Sequence, residues 1–305
     1  MSKSFQDYLN TAKGIYLPAW NGLELWVDPD GPGGDGLSHK NPVNTFAKAL
    51  AKVKGDVQNV IHLMPRKHDV DHKWVGYDEA MTILRTTPNL ILIGEGPRGA
   101  VGFAPTATDA VAGEVRADDV EIRNVGFDAQ SASAAHALRV YGSRFRAYQC
   151  KIEDGVAAVI IGPGTVAQEA AETHGKGGDC LFDDCEFCWA TNGLRLQSSD
   201  YGAVTQLKVQ NCLFHNITTD ILDENDVGAI GSVRDLWFCH NILGNSEDGT
   251  KPTNYVNLAA AGSTGLIAYN ILACAAADIA AKSAYSTAVH WIANPTEGGE
   301  STSRP

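Results

Sequence analysis

The feature that most limits what this chain can fold into is a repeat. Six eight-residue segments align: "VEIRNVGF" from Val120, "FRAYQCKI" from Phe145, "CLFDDCEF" from Cys180, "LKVQNCLF" from Leu207, "LWFCHNIL" from Leu236 and "GLIAYNIL" from Gly265. Their starts are 25, 35, 27, 29 and 29 residues apart. Positions one and three are mostly apolar, and position eight always is: Phe127, Ile152, Phe187, Phe214, Leu243 and Leu272. Position five holds turn formers or polar residues: Asn124, Gln149, Asp184, Asn211 and His240. Period-two alternation, a bend and a second short strand account for this pattern. Asn and Asp suit the bend because they tolerate left-handed backbone angles.

A further strand follows in each copy, in "HALRVYGS", "AAVIIGPG", "NGLRLQSS", "TDILDEND" and "NYVNLAAA". Its expected inward column is Leu138, Val159, Leu194, Ile221 and Val256; its outward column is Arg139, Ile160, Arg195, Leu222 and Asn257. Several short strands per repeat, with each repeat stacked on the next, describe an all-β solenoid of parallel strands. The period-two pattern excludes a helical bundle, and a sandwich would not keep one register through six copies. A coil of this kind cannot bury its apolar face alone, so its neighbours must do so.

The same register bears on "CLFDDCEFCWATNGLRL", residues 180–196, which has the composition of a metal site. Cys180 and Cys185 fall at inward positions one and six, and Cys150 and Cys212 share the column of Cys185. They read as stacked small hydrophobes. Zinc needs four ligands converging on one point, whereas this column spreads them along an edge, so the expectation is no metal and no cofactor. The seven cysteines are odd in number and read as reduced thiols.

Upstream, "NPVNTFAKALAKVKG" has Asn44 or Thr45 as N-cap, Phe46, Leu50 and Val53 on one face, and Gly55 as terminator. A helix over about 44–54 is expected to plug the open first coil. Here "WVDPDGPGGDGLSHKNPVNTFAKALAKV", then "NLILIGEG", resembles the entry segment of the pectate-lyase-like right-handed parallel β-helix superfamily, and "VEIRNVGF" and "VQNCLFHN" are similar to its coils. The resemblance spans roughly residues 26–275. It implies a right-handed parallel β-helix with a short N-terminal capping helix. It leaves function open, since the fold hosts lyases, hydrolases, epimerases, adhesins and phage virion proteins.

Lyases of that superfamily set acidic calcium ligands beside a basic residue, and hydrolases need two suitably separated carboxylates. The outward columns show neither. Position four reads Arg123, Tyr148, Asp183, Gln210, Cys239; position seven reads Gly126, Lys151, Glu186, Leu213, Ile242, Ile271, with Lys151 expected to pair with Glu186. The densest acidic set is Asp220, Asp223, Glu224 and Asp226 in "TTDILDENDVG". Asp223 is expected in an inward column with Val140, Ile161, Leu196 and Leu258, where an unpaired carboxylate is costly. Arg195, one coil earlier, is expected to reach Glu224. An acidic turn at a strand end is therefore preferred to a catalytic cluster; were the chain an enzyme, Asp223, Glu224 and Arg195 would be its site. "HDVDH", residues 68–72, reads as a solvated loop; "THGKGGD", residues 173–179 at the end of the longest insertion, lacks the first glycine of the Gly-His-Gly motif that the resemblance implies for hydrolases.

A net charge of -12 argues against nucleic-acid and anionic-membrane partners. No run approaches a membrane span of about 20 residues, and the N-terminus lacks a signal-peptide core. Outward positions turn apolar late in the chain, at Leu213, Trp237, Ile242, Ile267 and Ile271. Either "YSTAVHWIANP" covers them or copies of the chain do. The resemblance implies a homotrimer. The expected organisation is an N-terminal docking arm over 1–25, a β-helix over 26–294 and a flexible tail over 295–305. The expected function is a non-enzymatic phage virion protein: a head decoration, fibre or small spike. It would be made in the host cytoplasm without a signal peptide, would dock on other virion proteins through its arm, and could meet a host surface glycan. The alternative is a polysaccharide lyase or glycoside hydrolase, tailspike-like or secreted.

Overall fold

Three stacks of short parallel strands carry the chain. In a computed structural model, the first sheet has ten strands, from Glu24–Val27 through Glu121–Arg123 and Lys208–Gln210 to Val289–Ile292. The second has seven, from Gly102–Phe103 to Ile271–Leu272, and the third eight, from Met81–Ile83 to Ser283–Tyr285. Each strand pairs in parallel with its counterparts one repeat before and after, for example Ala147 with Ile122 and with Phe182. This is a parallel β-helix. The structure describes residues 22–55, 57–66, 76–106, 110–130, 136–162, 177–197, 204–225, 233–258, 262–274, 282–285, 288–296 and 301–302. The "HDVDH" loop, His174 and Lys176, Asp226 and most of the N-terminal arm lie outside these residues.

The coil register follows the aligned apolar positions. Val120, Ile122 and Phe127, and their equivalents through Leu236, Phe238 and Leu243, are all buried. Position eight forms an aromatic stack in which the Phe187 and Phe214 rings lie 4.5 Å apart and 4° from parallel. The cysteine column also holds: Cys150, Cys185 and Cys212 are free, buried and adjacent, with Cys185 in hydrogen-bond contact with both neighbours. Burial pushes the Cys150 and Cys185 thiols well up, as expected of inert core cysteines.

Corners are made by side chains in the left-handed region. Position five does this at Asn124, Gln149, Asp184, Asn211, His240, Tyr269 and Ala293, with φ between 47° and 59°. Two further columns do the same: Asp119, Arg144, Asp179, Gln206 and Asp235 just before the first-sheet strands, and Gln130, Asp154, Trp189 and Asn216 after the second-sheet strands. Their mixed residue types hid them from sequence reasoning, because tertiary pairing overrides the local preference for Asn or Gly.

The solenoid starts earlier than the six aligned copies. Glu24–Val27, Asn59–Leu63 and Leu90–Gly94 already stack in the first sheet. The capping helix is shorter than expected, Phe46–Leu50, with the Thr45 hydroxyl accepting the Lys48 N–H. Turn bonds from Lys52 and Val53 continue it briefly. Phe46 seats edge-on against Phe103, centroids 5.3 Å apart, covering the first apolar coil.

At the other end, inward position six changes from cysteine to asparagine. Asn241, Asn270 and Asn294 are fully buried. Each passes hydrogen bonds to the next: Asn270 Oδ1 accepts from the backbone N–H and the Nδ2 of Asn241, and Asn294 Oδ1 accepts the same two donors from Asn270, all at 2.9 Å. Part of the segment "YSTAVHWIANP" continues the solenoid. Its Val289–Ile292 is the next strand of the first sheet, paired with Gly265–Ala268. Beyond it, Asn294–Pro295 pairs antiparallel with Ser301–Thr302.

Candidate functional site

Three groups of polar or apolar side chains stand out on the outer faces. The first is on the third sheet and contains the residues singled out from sequence. Register there runs one residue differently from the expectation: Leu222 lies beside Leu194 and Val256, so Ile221 is not the member of that column, though it too is buried. Asp223 therefore sits in the outward column with Arg195 and Asn257, and Glu224 takes the place beside Leu196. A slip of one residue exchanges the two faces of a strand. Consequently Arg195 pairs with Asp223, not with Glu224, Nε to Oδ2 at 2.7 Å. Glu224 accepts instead from the Ser263 hydroxyl at 2.9 Å.

Asp220 completes this group. Its oxygens accept from Asn254 Nδ2 at 2.7 Å and Asn257 Nδ2 at 3.2 Å, and Asn257 Nδ2 also lies 3.2 Å from Asp223 Oδ1. Asp220 and Asp223 are each only 5% exposed. Burial raises the Asp223 carboxyl above its ordinary range, against the pull of Arg195. The arrangement brings together two carboxylates and a guanidinium, the types general acid–base work uses. Every carboxylate oxygen of the pair already accepts a hydrogen bond from a side chain of the same sheet.

The second group is on the outer face of the second sheet. Glu153, Cys188 and His215 are adjacent in one column, and Lys151 and Glu186 are adjacent in the other. Lys151 pairs with Glu153 of its own strand rather than with Glu186, which pairs with His215 at 3.2 Å. That bond holds the Glu186 carboxyl below the usual range. The Cys188 Sγ is fully buried, 3.8 Å from both Glu153 Oε2 and Glu186 Oε1, and burial beside these carboxylates pushes its thiol well up. Sequence reasoning weighed residues 180–196 as a metal site and expected none, without bringing in His215 of the next copy, although positions seven and nine of consecutive copies carry Glu186, Cys188 and His215.

At the edge of this group, burial and the neighbouring charge of Asp154 push the Asp128 carboxyl up to about 6. Between its unfolded value of about 3.9 and 6 only the folded state holds this proton. The contribution is therefore full below about pH 4 and is lost as pH rises through about 6. Melting temperatures of the wild type and Asp128→Asn should diverge over that window, with the variant gaining relative stability at the higher pH. Parallel curves would show that the carboxyl titrates normally.

The third group is apolar. Trp237 (41% exposed), Ile242 (47%) and Ile271 (51%) remain open on the late coils, with Tyr269 stacked on His240 at the corner between them. Ile267, expected outward, is buried beside Phe238 at position three. Trp237 also borders an open groove of about 730 Å³, lined by Asp179, Gln206, Lys208, Asp235 and His290 among others. Among the described residues no helix is long and apolar enough to cross a membrane.

No protein family model matches the sequence, and no curated protein matches it. Among solved structures the chain is similar to pectate lyase Pel9A, with a TM-score of 0.56 at 13% identity over 90% of this chain and 68% of that one. It is also similar to a pectin methylesterase from carrot, with a TM-score of 0.50 at 12% identity over 95% of this chain and 88% of that one. ORF18 of Geobacillus virus E2 aligns at 12% identity over 96% of this chain and 62% of that one, with a TM-score of only 0.35. At such identities the first two likenesses are of architecture: the chain has the parallel β-helix fold found in pectate lyase and pectin methylesterase.

Proposed function

We propose that this chain is a non-enzymatic structural subunit, of the kind that serves as a head decoration, fibre or small spike on a phage virion, and that it assembles as a homotrimer. The observation that carries the reading is the set of open apolar side chains on the late coils, Ile242 beside Ile271 on the second sheet and Trp237 on the first. The C-terminal segment that could have covered it extends the first sheet instead. Exposed apolar side chains grouped on one end of a molecule are ordinarily covered by something. With a net charge of -12, copies of the chain meet most favourably where their contact is apolar, since like charges repel when desolvated. The N-terminal arm remains the proposed attachment to other virion proteins, and the virion the proposed location. A host surface glycan is the proposed external contact. Sedimentation at micromolar concentration should give a trimer, and Ile271→Asp should give a folded monomer. A wild-type monomer would overturn the proposal.

A second reading is favoured by the Arg195, Asp220 and Asp223 group: an enzyme acting on polysaccharide. Catalysis there needs one carboxyl protonated, one ionised, and a free face toward substrate. The burial of both carboxylates, with every oxygen engaged by a neighbouring side chain, opposes it. Incubation with host surface polysaccharide, followed by reducing-end release and unsaturated-product absorbance, should show no cleavage. Cleavage abolished by Asp223→Asn, with folding intact, would establish the enzyme instead.

A further inference from the structure

The Cys188 cluster is rich in lone pairs and poor in donors. Two carboxylates flank a buried thiol, and the nearby Lys151 is engaged by Glu153. We propose that Glu186, Cys188 and His215 form a three-residue binding site for a divalent transition metal of the zinc type, with the fourth position left to solvent. The one ligand atom offered by each of Glu186, Cys188 and His215 lies within 4.8 Å of the others. Tetrahedral zinc, with bonds of about 2.0–2.2 Å to nitrogen and oxygen and about 2.3 Å to sulfur, spaces its ligands by about 3.3 Å for N···O and about 3.5 Å for S···O. The observed separations are 3.2 Å from His215 Nε2 and 3.8 Å from Cys188 Sγ to the same oxygen, Glu186 Oε1. Two ligand edges are therefore already near tetrahedral length on side chains that neighbouring strands hold side by side. The mixture of sulfur, nitrogen and carboxylate suits zinc-type ions and not calcium or magnesium, which take oxygen throughout. Glu186 and His215 are partly exposed and provide the way in to the buried sulfur.

Loading the site moves two protons. Cys188 becomes a thiolate and releases about one proton to solvent per ion bound. His215 changes tautomer. The Glu247 N–H donates to Asn216 Oδ1 at 2.7 Å, which turns Asn216 Nδ2 toward His215 Nδ1 at 3.0 Å. Nδ1 is thus an acceptor, and Nε2 carries the proton donated to Glu186. A metal on Nε2 requires that proton on Nδ1, facing an acceptor. Asn216 must then turn its oxygen inward and give up the Glu247 bond. Asparagine at this position restrains metal affinity, and an aspartate, accepting from both partners, would raise it.

The test uses the full chain, stripped with chelator and titrated with Co2+. Binding should give a thiolate-to-cobalt charge-transfer band with the intense visible bands of tetrahedral cobalt, and Zn2+ should displace them. Cys188→Ser should abolish the charge-transfer band. Glu186→Gln and His215→Gln, at partly exposed positions that do not endanger folding, should weaken binding ~10-fold or more, and Asn216→Asp should tighten it by a similar factor. A weak octahedral spectrum without the thiolate band would overturn the proposal. So would a band that persists in folded Cys188→Ser, or Co2+ binding unchanged in His215→Gln.

Discussion

Phe187→Ala is expected to destabilise the fold by about 3–5 kcal/mol, the range for truncating a large, fully buried aromatic. The ring is completely buried, stacked on Phe214 and contacting Phe182 at 5.8 Å. A solenoid gives such a cavity little chance to close. The coil spacing is fixed by backbone ladders on three sides, so neighbouring rings cannot slide along the axis into the void. Denaturant unfolding of the variant should show a large fall in midpoint. A loss below about 1 kcal/mol would mean that position eight does not carry the core.

Asn270→Ala should cost about 3 kcal/mol or more, although the side chain it removes is polar. Asn270 Nδ2 donates to the Phe238 carbonyl and to Asn294 Oδ1, and its Oδ1 accepts twice from Asn241. Alanine leaves the Asn241 N–H and one of its amide hydrogens buried without partners and takes one bond from the Phe238 carbonyl, at about 1–3 kcal/mol for each unsatisfied group. All three asparagines are fully buried, so bulk water does not reach the freed groups. Asn270→Asp should be worse, because it sets a carboxylate against the Phe238 and Asn294 oxygens. If the alanine variant unfolded at the wild-type midpoint, the ladder would be decorative rather than stabilising.

Both predictions come from columns, and columns are what a repeated sequence displays. Positions one, three, five and eight, and the thiol stack, could be read directly because each copy restates the same alternation. The third-sheet strand was harder. In "TDILDEND" two successive apolar residues allow either register, and the choice decides whether Asp223 faces in or out. Pairing of Asp220 with Asn192 and Asn254 settles it. The Asn241, Asn270 and Asn294 ladder could have been found at position six, but inward asparagine looks unfavourable until its partners one coil away are known.

What the sequence by itself determined was the solenoid: period-two alternation restated six times admits few other ways to bury the apolar positions. Tertiary structure alone decided the chemistry of the outer faces. The spacing between copies varies from 25 to 35 residues, so insertions shift what stands beside what, and the lateral neighbour of a residue is not written in its own strand. Arg195 found Asp223 and not Glu224, Lys151 found Glu153 and not Glu186, and Cys188 came to rest between two glutamates beside His215. Inward positions are selected by one requirement, exclusion of water, and so announce themselves. Outward groups are set by distances of a few ångströms between coils, which only the stacked backbone fixes.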